Sequence, residues 1–232
     1  MQHDTTQSWL KPLYANRFPA DLHEQRRQIW QRLYREWFSK FIAPGASVLE
    51  IAPGYCEFIN NVEPEHERVG VDLNADSKKF AAPGVEIHVV SAENMATVLP
   101  KDHFDIVFAS NFFEHCRTRE ALVRVLEAVH DVLKPGGRVL ILGPNLKHCL
   151  RSYFDYFDHH LPLTDESMAE ALRMTGFTIT EQLPQTLPFT MRGRLPTWPP
   201  LISIYLRVPL AWKIFGAQFF IVATKPAAAP GP

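Results

Sequence analysis

Residues 48–56 read VLEIAPGYC, and this stretch decides the fold. Apolar and β-branched residues interrupted by one acid, Glu50, predict a buried strand, and Pro53 with Gly54 predicts the tight turn that ends it. A glycine in such a turn lets a ligand approach the backbone closely, because it has no side chain. The stretch therefore predicts a buried strand that runs into a ligand-holding loop.

The rest of the chain repeats the strand-like pattern six times, with helix-like stretches between many of the strands. The strands read as nearly unbroken apolar runs, such as FDIVFAS at 104–110 and RVLILG at 138–143. Such strands are typical of α/β proteins, in which helices cover both faces of a parallel sheet. The pattern therefore predicts an α/β fold with a largely parallel sheet.

The composition excludes several classes of protein. The chain has 232 residues, of which 46% are hydrophobic and 21% charged, and this suits one globular domain. Its formal net charge of -1 provides no basic field that would attract nucleic acid. We therefore expect no nucleic-acid partner.

The cysteines and the start of the chain point to a reducing compartment. Cys56, Cys116 and Cys149 lie far apart and form no C-x-x-C pair, which indicates free thiols instead of a disulfide framework or a zinc site. The opening sequence MQHDTTQSWLKPLY is polar and lacks the apolar run of a secretory signal. We therefore expect a cytoplasmic protein.

Ligands of open α/β sheets bind beyond the carboxyl ends of the strands, so the residues that end each strand are the candidate site. Asp72 ends the second strand about twenty residues after the first turn, where an acid accepts both hydroxyls of a ribose. Its alternative role is that of a loop or helix-capping aspartate. Gly54 permits close backbone approach, and Glu50 could orient the loop or receive an ammonium group.

The order of several strand-end motifs resembles that of the class I S-adenosylmethionine-dependent methyltransferases. The motifs are VLEIAPGYCEF, VGVDLN, SAENM, FDIVFASNFFEHC, VLKPGGRVLILGPN and a helix that ends in TGF, and they cover 46–183 together with the last strand. The resemblance implies a Rossmann-like, seven-stranded mixed sheet with an antiparallel last strand and helices on both faces. It also implies S-adenosylmethionine as cofactor and methyl transfer as reaction.

The resemblance assigns a role to individual residues. It implies that Asp72 holds the ribose hydroxyls, that Leu73 and Met95 flank the adenine, and that Glu93 or its neighbouring backbone meets the adenine amine. Asn111 is expected beside the methionine part. The cofactor-binding residues predicted in this way are Glu50, Ala52, Pro53, Gly54, Tyr55, Asp72, Leu73, Ala92, Glu93, Met95, Ser110 and Asn111.

The first loop departs from the family pattern acid-x-Gly-x-Gly-x-Gly, because Ala52 and Cys56 replace two glycines. An alanine is tolerated there if its φ is negative, whereas a cysteine at positive φ would be strained. A non-catalytic cofactor-binding or scaffold protein with a degenerate loop is therefore an alternative. An NAD-dependent oxidoreductase is a further alternative, but it would need the motif G-x-G-x-x-G. Here Ala52 and either Glu57 or Phe58 stand where that motif has glycines.

We interpret 1–232 as one methyltransferase domain in five parts. They are an N-terminal helical cap at 1–44, a cofactor-binding core at 45–183, an apolar insertion at 184–216, the last strand at 217–225 and a tail at 226–232. The cap contains an amphipathic helix pattern over 21–42, which Asp21 could cap and which Pro44 and Gly45 end. Thr164 and Gly176 mark the start and the end of a later helix.

The insertion contains the most apolar stretch of the chain, at 198–216. It is interrupted by Arg207, Lys213 and prolines 199, 200 and 209, so it does not predict a membrane-spanning helix. One interpretation is peripheral contact with a membrane, in which the basic residues meet lipid phosphates. The alternatives are a lid on the core and a surface that contacts a second copy in a homodimer.

The acceptor is expected to be a small molecule or a glycan. Nucleobase methyltransferases commonly have prolines after the fourth strand, and the stretch 110–113 has none. Residues 153–167, YFDYFDHHLPLTDES, hold Asp155, Asp158, His159 and His160, and a histidine oriented by a carboxylate is a natural base for a hydroxyl. We predict His159, His115 and Asp158 as catalytic residues.

Other interpretations of these side chains stay open. The histidines could be solvated or structural, and Asp155, Asp158 and His159 could hold a metal, although we predict no metal site because adjacent residues rarely converge on one ion. The stretch YFDYFDHH, with YLRVPL and GAQFFIVATKP, resembles a subgroup of these methyltransferases encoded among bacterial surface-polysaccharide and glycolipid genes. This resemblance implies O-methylation of a sugar hydroxyl, including one on a lipid carrier.

Overall fold

A computed structural model describes residues 23–189 and 199–227, in which seven strands form one mixed sheet. The strands are β1 Ser47–Ile51, β2 Glu67–Asp72, β3 Val85–Val89, β4 Phe104–Ser110, β5 Leu133–Pro144, β6 Thr178–Leu183 and β7 Gln218–Thr224. The sheet order is β3-β2-β1-β4-β5-β7-β6; β1 to β5 are parallel, and β7 is antiparallel to both β5 and β6. The predicted Rossmann-like sheet with an antiparallel last strand is thus confirmed.

The helices lie on both faces of this sheet. They are α1 His23–Glu36, α2 Arg119–Val132, α3 Leu146–Tyr153, α4 Asp165–Met174, α5 Pro199–Leu206 and α6 Pro209–Phe215. Short 3-10 helices at Ile59–Asn61, Ala75–Lys79 and Ala92–Thr97 take the place of longer helices in the connections among β1 to β4. A further 3-10 helix, Phe113–His115, directly follows β4.

Strand β1 is buried along its whole length because it separates two hydrophobic clusters. Leu49 and Ile51 pack in the cluster that contains α2 and α4, whereas Val48 packs in the cluster that contains α1. Successive side chains of a strand point to opposite faces. Glu50 therefore points to the same face as Val48, beneath the α1 side of the sheet.

The amphipathic pattern over 21–42 forms helix α1 and a short 3-10 helix, Phe38–Phe41. Its predicted cap, Asp21, lies outside the described residues. The guanidinium of Arg26 pairs with the Glu57 carboxylate, with Nε at 2.7 Å, and the Tyr34 hydroxyl donates to Glu63. These contacts fasten α1 to the segment that follows β1.

The predicted bounds of helix α4 are confirmed. The Thr164 hydroxyl accepts from the Ser167 N–H at 3.1 Å, and the Ser167 hydroxyl accepts from the Thr164 N–H at 2.9 Å, so the two residues form a capping box. Gly176 ends the helix with φ at +89°, a conformation that favours glycine.

The insertion contains α5 and α6, and Pro209 at the start of α6 keeps the two from forming one continuous helix. Helix α5 packs against α1, where Arg32 donates to the Ser203 hydroxyl at 2.8 Å. Residues 190–198 of the insertion, 1–22 of the cap and 228–232 of the tail lie outside the described residues. Within 23–189 and 199–227, no helix combines the length and the apolar character needed to cross a bilayer.

Candidate active site

The loop after β1 has an unusual backbone, because every second residue is left-handed. Ala52, Gly54 and Cys56 have φ values of +51°, +55° and +58°. The negative φ that alanine would need to avoid strain is therefore not adopted at Ala52, and Cys56 has the positive φ that strains a cysteine. The conformation that suits three glycines is kept although only one remains, at a cost of about 1–2 kcal/mol for each non-glycine residue.

Contacts around Cys56 hold this conformation in place. Its side chain is fully buried, its N–H donates to the Pro53 carbonyl at 2.7 Å, and its thiol lies 3.5 Å from the Ser77 carbonyl oxygen. Burial raises the pKa of the thiol to about 12, and the nearby Glu50 carboxylate adds to this effect. Cys56 is thus a packing residue of the loop and not a reactive thiol.

The buried side chain of Glu50 orients the loop after β1 through a hydrogen bond. Its buried carboxylate accepts a hydrogen bond from the Ile59 N–H at 3.0 Å, nine residues along the chain. Burial raises its pKa well above the ordinary value, and the carboxylates of Glu57 and Asp72 act in the same direction. The structure thus supports the loop-orienting role, and the ammonium contact stays a prediction.

Asp72 meets the loop at the carboxyl end of β2, which runs parallel to β1. Its carboxylate accepts from the Gly54 N–H at 3.1 Å and from the Asn74 N–H at 2.8 Å. Burial raises the pKa of this carboxyl, and the two N–H groups partly oppose that rise. Asp72 and Gly54, which the sequence separates by 18 residues, therefore form one site.

Two predicted adenine neighbours differ in their exposure. Leu73, next to Asp72, is 45% exposed, although it is apolar. Met95 is fully buried in the cluster beneath α2. Glu93, which follows Ala92 in the 3-10 helix after β3, pairs with Arg124 at 2.7 Å. Their contacts with an adenine stay predictions.

The remaining cofactor candidates lie at neighbouring strand ends. Tyr55 packs between the rings of His23 and Phe80, with centroid distances of 4.5 and 4.7 Å. Ser110 ends β4, and its hydroxyl accepts from the Asn111 side-chain amide at 3.1 Å. Asn111 is left-handed, with φ at +49°, and its N–H donates to the Leu142 carbonyl at 2.8 Å.

The structure brings the predicted catalytic histidines together. The rings of His115 and His159 are 5.1 Å apart between centroids and meet edge to face. His115 Nδ1 lies 2.9 Å from the Asp158 carbonyl oxygen and 3.3 Å from its carboxylate. All three residues therefore share one cluster at the end of β4.

Aromatic contacts fix the position of His159. Its ring stacks on Tyr156 at 4.9 Å with an interplanar angle of 14°, and Tyr153 and Phe189 contact it edge-on. His160 and Asp155 are exposed. Among the described residues, His159 belongs to a group of side chains close enough to share a metal ion, and Asp155 is not part of that group.

Glu114 belongs to this cluster, and the sequence interpretation missed it. Its carboxylate is 2% exposed and lies 3.9 Å from His115 Nε2. Its carbonyl oxygen accepts from the backbone N–H groups of His160 and Leu161, at 2.8 and 3.1 Å. The available signal was an acid directly before His115 in a loop that ends a strand.

A second missed group organises the end of β5. The side chain of Asn145 is fully buried and donates to Asp165 at 2.9 Å, and Lys147 pairs with the same carboxylate at 2.9 Å. Burial alone would raise the pKa of Asp165, but its bonds to Lys147, Asn145 and Gln182 lower it overall. This group fixes the start of α4 relative to the sheet.

The strand ends fit a nucleoside-containing methyl donor. Asp72 presents a carboxylate at the end of β2, the left-handed loop lets a ligand approach its backbone at Gly54, and the histidine cluster lies at the end of β4. The fold and the site together define a Rossmann-like methyltransferase. The chain belongs to the methyltransferase domain family, whose model matches residues 22–182.

Comparisons with known proteins agree with this family. The chain is 25% identical over 158 residues to a demethylmenaquinone methyltransferase of Symbiobacterium thermophilum, with 62% of each chain covered. The chain thus spans less than two thirds of the length of the curated relatives that it matches.

Solved structures share the fold. A SAM-dependent methyltransferase of Archaeoglobus fulgidus has a TM-score of 0.64 at 24% identity, with 88% of this chain and 98% of that chain covered. The N-methyltransferase NodS of Bradyrhizobium japonicum, in complex with S-adenosyl-L-homocysteine, has a TM-score of 0.65 at 16% identity, with 96% and 100% covered.

Proposed function

We propose that this methyltransferase uses S-adenosylmethionine to O-methylate a small polar or glycosyl acceptor, including a lipid-linked one. The observation that carries the proposal is the meeting of His115, His159 and Asp158 at the end of β4. When bound, S-adenosylmethionine supplies a methyl group that is already activated for attack by an oxygen. The protein's task is to orient the acceptor and to take the proton from its hydroxyl group.

His115 has the contacts of an oriented base. Both oxygen atoms of Asp158 near Nδ1 are acceptors, so they favour the tautomer in which Nδ1 carries the proton. The Nε2 lone pair is then available to accept a proton from a hydroxyl. His159 is the second candidate base, because Tyr156 and Tyr153 hold its ring beside His115.

The cofactor side would be held by the loop and by the ends of β2 to β4. Asp72 accepts hydrogen bonds from the ribose hydroxyls, and the left-handed loop at Ala52, Gly54 and Cys56 lets the cofactor approach the backbone closely at Gly54. Glu50 keeps this loop in position through Ile59. Leu73 would cover one face of the adenine, and its exposed apolar side chain supports this role.

An acceptor on a lipid carrier is supported by an exposed apolar surface on α5 and α6. It consists of Ile204, Val208, Leu210, Ile214 and Phe215. Leu210 and Ile214 are 67% and 66% exposed, and the exposed cations Arg207 and Lys213 lie among them. Apolar side chains flanked by cations suit the interface of a bilayer with anionic lipids. We propose that this surface rests on the inner face of such a membrane.

A glycosyl acceptor agrees with two sequence features. The net charge of -1 does not attract nucleic acid, and the 153–160 stretch resembles a subgroup encoded among surface-polysaccharide and glycolipid genes.

A quinol-type acceptor is the second candidate, and one observation favours it. The relative from Symbiobacterium thermophilum is named a demethylmenaquinone methyltransferase, and it is 25% identical to this chain. Such an acceptor is also carried in membranes, so the α5 and α6 surface suits both candidates. An acceptor panel must therefore contain sugars, glycolipids and reduced quinones.

The first test is isothermal titration of the purified protein with S-adenosylmethionine and, in parallel, with NADH. We expect micromolar binding of the first alone. Binding of neither ligand would favour the non-catalytic scaffold, and binding of NADH alone would favour an oxidoreductase.

The second test follows transfer of a radiolabelled methyl group to the acceptor panel. We expect the label in a sugar or a glycolipid, on oxygen. Transfer to a quinone ring carbon would support the second candidate instead. Full turnover by both His115→Ala and His159→Ala on the identified acceptor would show that neither histidine is the base.

A further inference from the structure

We propose that Glu114, His115 and His159 form a binding site for one divalent transition-metal ion of the zinc class. One ligand atom of each residue lies within 4.8 Å of the ligand atoms of the other two. Glu114 and His115 belong to the 3-10 helix after β4, and His159 belongs to the segment between α3 and α4. The ligands therefore come from two parts of the chain that the fold brings together.

The spacing is close to that of a bound ion. Two ligand atoms on a tetrahedral Zn²⁺ with bonds of about 2.1 Å are separated by about 3.4 Å. Glu114 Oε1 and His115 Nε2 are 3.9 Å apart. Small side-chain rotations that draw these atoms together would complete the geometry.

The second nitrogen of His115 has the partner that metal-binding histidines usually have. Its Nδ1 faces the carbonyl oxygen of Asp158 at 2.9 Å and the carboxylate of the same residue at 3.3 Å. A histidine that donates one N–H to a carboxylate or a carbonyl presents its other nitrogen to a metal in a fixed orientation. That other nitrogen, Nε2, is the atom directed at Glu114.

The backbone around the three ligands is held by direct contacts. The Glu114 carbonyl oxygen accepts from the N–H groups of His160 and Leu161, which ties the His159 segment to the Glu114 helix. The Tyr153 hydroxyl donates to the Leu161 carbonyl and closes the same segment on α3. Ligands fixed in this way lose little freedom when an ion binds.

Burial and ligand type indicate which ion the site would take. The Glu114 carboxylate is 2% exposed, whereas the His115 side chain keeps 24% exposure. An ion there would be enclosed on the protein side and reachable from solvent, as in zinc sites with three protein ligands and one open position. Two imidazoles and one carboxylate favour Zn²⁺ or Fe²⁺ over Mg²⁺ or Ca²⁺, which prefer oxygen ligands.

The catalytic consequence rests on the proposed function. An ion held by these three residues would bind the acceptor hydroxyl at its open position and lower the pKa of that hydroxyl, so that the proton would pass to solvent water. It would also occupy the imidazole nitrogens that take up the proton in the metal-free protein. Metal-loaded and metal-free protein should therefore differ in turnover.

The test is calorimetric titration of ZnCl₂ into full-length protein that carries no histidine tag and has been stripped with a chelator. We expect one ion per chain. Loss of an outer partner of a metal-bound histidine typically lowers affinity about 10- to 100-fold. We therefore expect at least a 100-fold loss, roughly, for Glu114→Gln and for His159→Asn, which remove direct ligands.

His103→Asn is the matched control, because His103 pairs with Glu67 at 2.7 Å on the surface. We expect it to bind zinc as the wild type does, and circular dichroism shows whether each variant is folded. The visible spectrum of the Co²⁺-loaded wild type reports nitrogen and oxygen ligation without any substitution. The proposal is overturned if the wild type takes up no stoichiometric ion, or if both folded ligand variants bind as tightly as it does.

Zinc binding is measured without cofactor or acceptor, so the two proposals fail separately. Stoichiometric zinc binding without methyl transfer to any acceptor contradicts the proposed function alone. Methyl transfer by a protein that binds no zinc contradicts the metal site alone.

Discussion

The Asp72 carboxylate accepts a hydrogen bond from the Gly54 N–H across 3.1 Å and so joins the ends of β1 and β2. Parallel neighbouring strands end at the same edge of the sheet, so an acid on one strand reaches the loop of the next. This contact fixes the position of the Asp72 carboxylate, which we propose accepts hydrogen bonds from the ribose of the cofactor.

Asp72→Ala should weaken the binding of S-adenosylmethionine. Hydrogen bonds to a charged group contribute about 1.5–3 kcal/mol, which corresponds to an affinity loss of roughly 10- to 100-fold. Calorimetric titration measures the loss directly. Asp76→Ala is the control, because Asp76 lies four residues beyond Asp72 and pairs with Lys79 at 2.7 Å. Equal affinities for the wild type and Asp72→Ala would refute the ribose assignment.

Ala52→Gly should stabilise the protein although it removes a side chain. The left-handed backbone at Ala52 costs about 1–2 kcal/mol, and glycine removes this cost. Glycine also lowers stability by about 0.5–1 kcal/mol, because it makes the unfolded chain more flexible. The free energy of unfolding should therefore rise by about 0.5–1 kcal/mol. Urea denaturation is the measurement.

Ala75→Gly is the control, and it should change the free energy of unfolding in the opposite direction. Ala75 begins an exposed 3-10 helix and is not among the residues with positive φ. Glycine there should lower the free energy of unfolding by about 0.5–1 kcal/mol. A decrease of the same size at position 52 would mean that the loop is not strained.

Glu50→Gln should stabilise the protein at neutral pH and not in acid. Burial raises the pKa of Glu50 in the folded state, so the folded protein binds its proton more tightly than the unfolded chain does. The contribution of Glu50 to stability is full below its unfolded pKa and is lost as the pH rises through the folded pKa. Glutamine keeps an oxygen acceptor for the Ile59 N–H and never ionises.

Urea unfolding between pH 4 and pH 8 measures this effect. The advantage of Glu50→Gln over the wild type should be small at the acid end and grow as the pH rises. Glu65→Gln changes an exposed glutamate and should follow the wild type throughout. An advantage of Glu50→Gln that is the same at every pH would show that Glu50 does not titrate differently in the folded protein.

Leu210→Gln with Ile214→Gln should reduce binding to vesicles that contain anionic phosphatidylglycerol. Burial of one large apolar side chain contributes about 1.5–3 kcal/mol, so loss of two should lower binding at least about tenfold. Flotation of protein with vesicles is the measurement. Arg207→Gln with Lys213→Gln should reduce binding to anionic vesicles and leave binding to neutral vesicles unchanged, since each cation contributes about 1 kcal/mol near a charged surface.

Met174→Gln is the matched control, because Met174 is 73% exposed at the end of α4, outside the α5 and α6 surface. It should float as the wild type does. A wild type that does not float but forms a dimer, which the Leu210 and Ile214 variant dissociates, would show that the surface binds a second copy.

Much of the fold could be predicted because its signals are local. Unbroken apolar runs predicted the buried strands, and Thr164 and Gly176 predicted the ends of α4, because capping and left-handed termination act within a few residues. Helix α3 was not predicted, since it is short and has a non-helical backbone at Cys149. The apolar periodicity of so short a segment carries little information.

The cofactor side of the site was also within reach of the sequence. An acid that ends a strand and a glycine that ends its neighbour meet whenever the strands are adjacent and parallel, as Asp72 and Gly54 do. The left-handed backbone of Ala52 could not be predicted from the sequence. Alanine itself disfavours a positive φ, and the conformation at Ala52 is imposed by the rest of the loop. The buried side chains of Glu50 and Cys56 hold that loop in position.

The sequence by itself determined the class of fold, the edge of the sheet that carries the site and the residue types available there. Only the tertiary structure decided that His115 and His159, 44 positions apart, meet with Glu114 and Asp158 in one cluster. Their meeting depends on the path of the segment between α3 and α4, which Tyr153 and the Glu114 carbonyl oxygen fix through hydrogen bonds. Such long-range contacts leave no periodic pattern in the chain, because they arise only when the packed elements bring distant residues together.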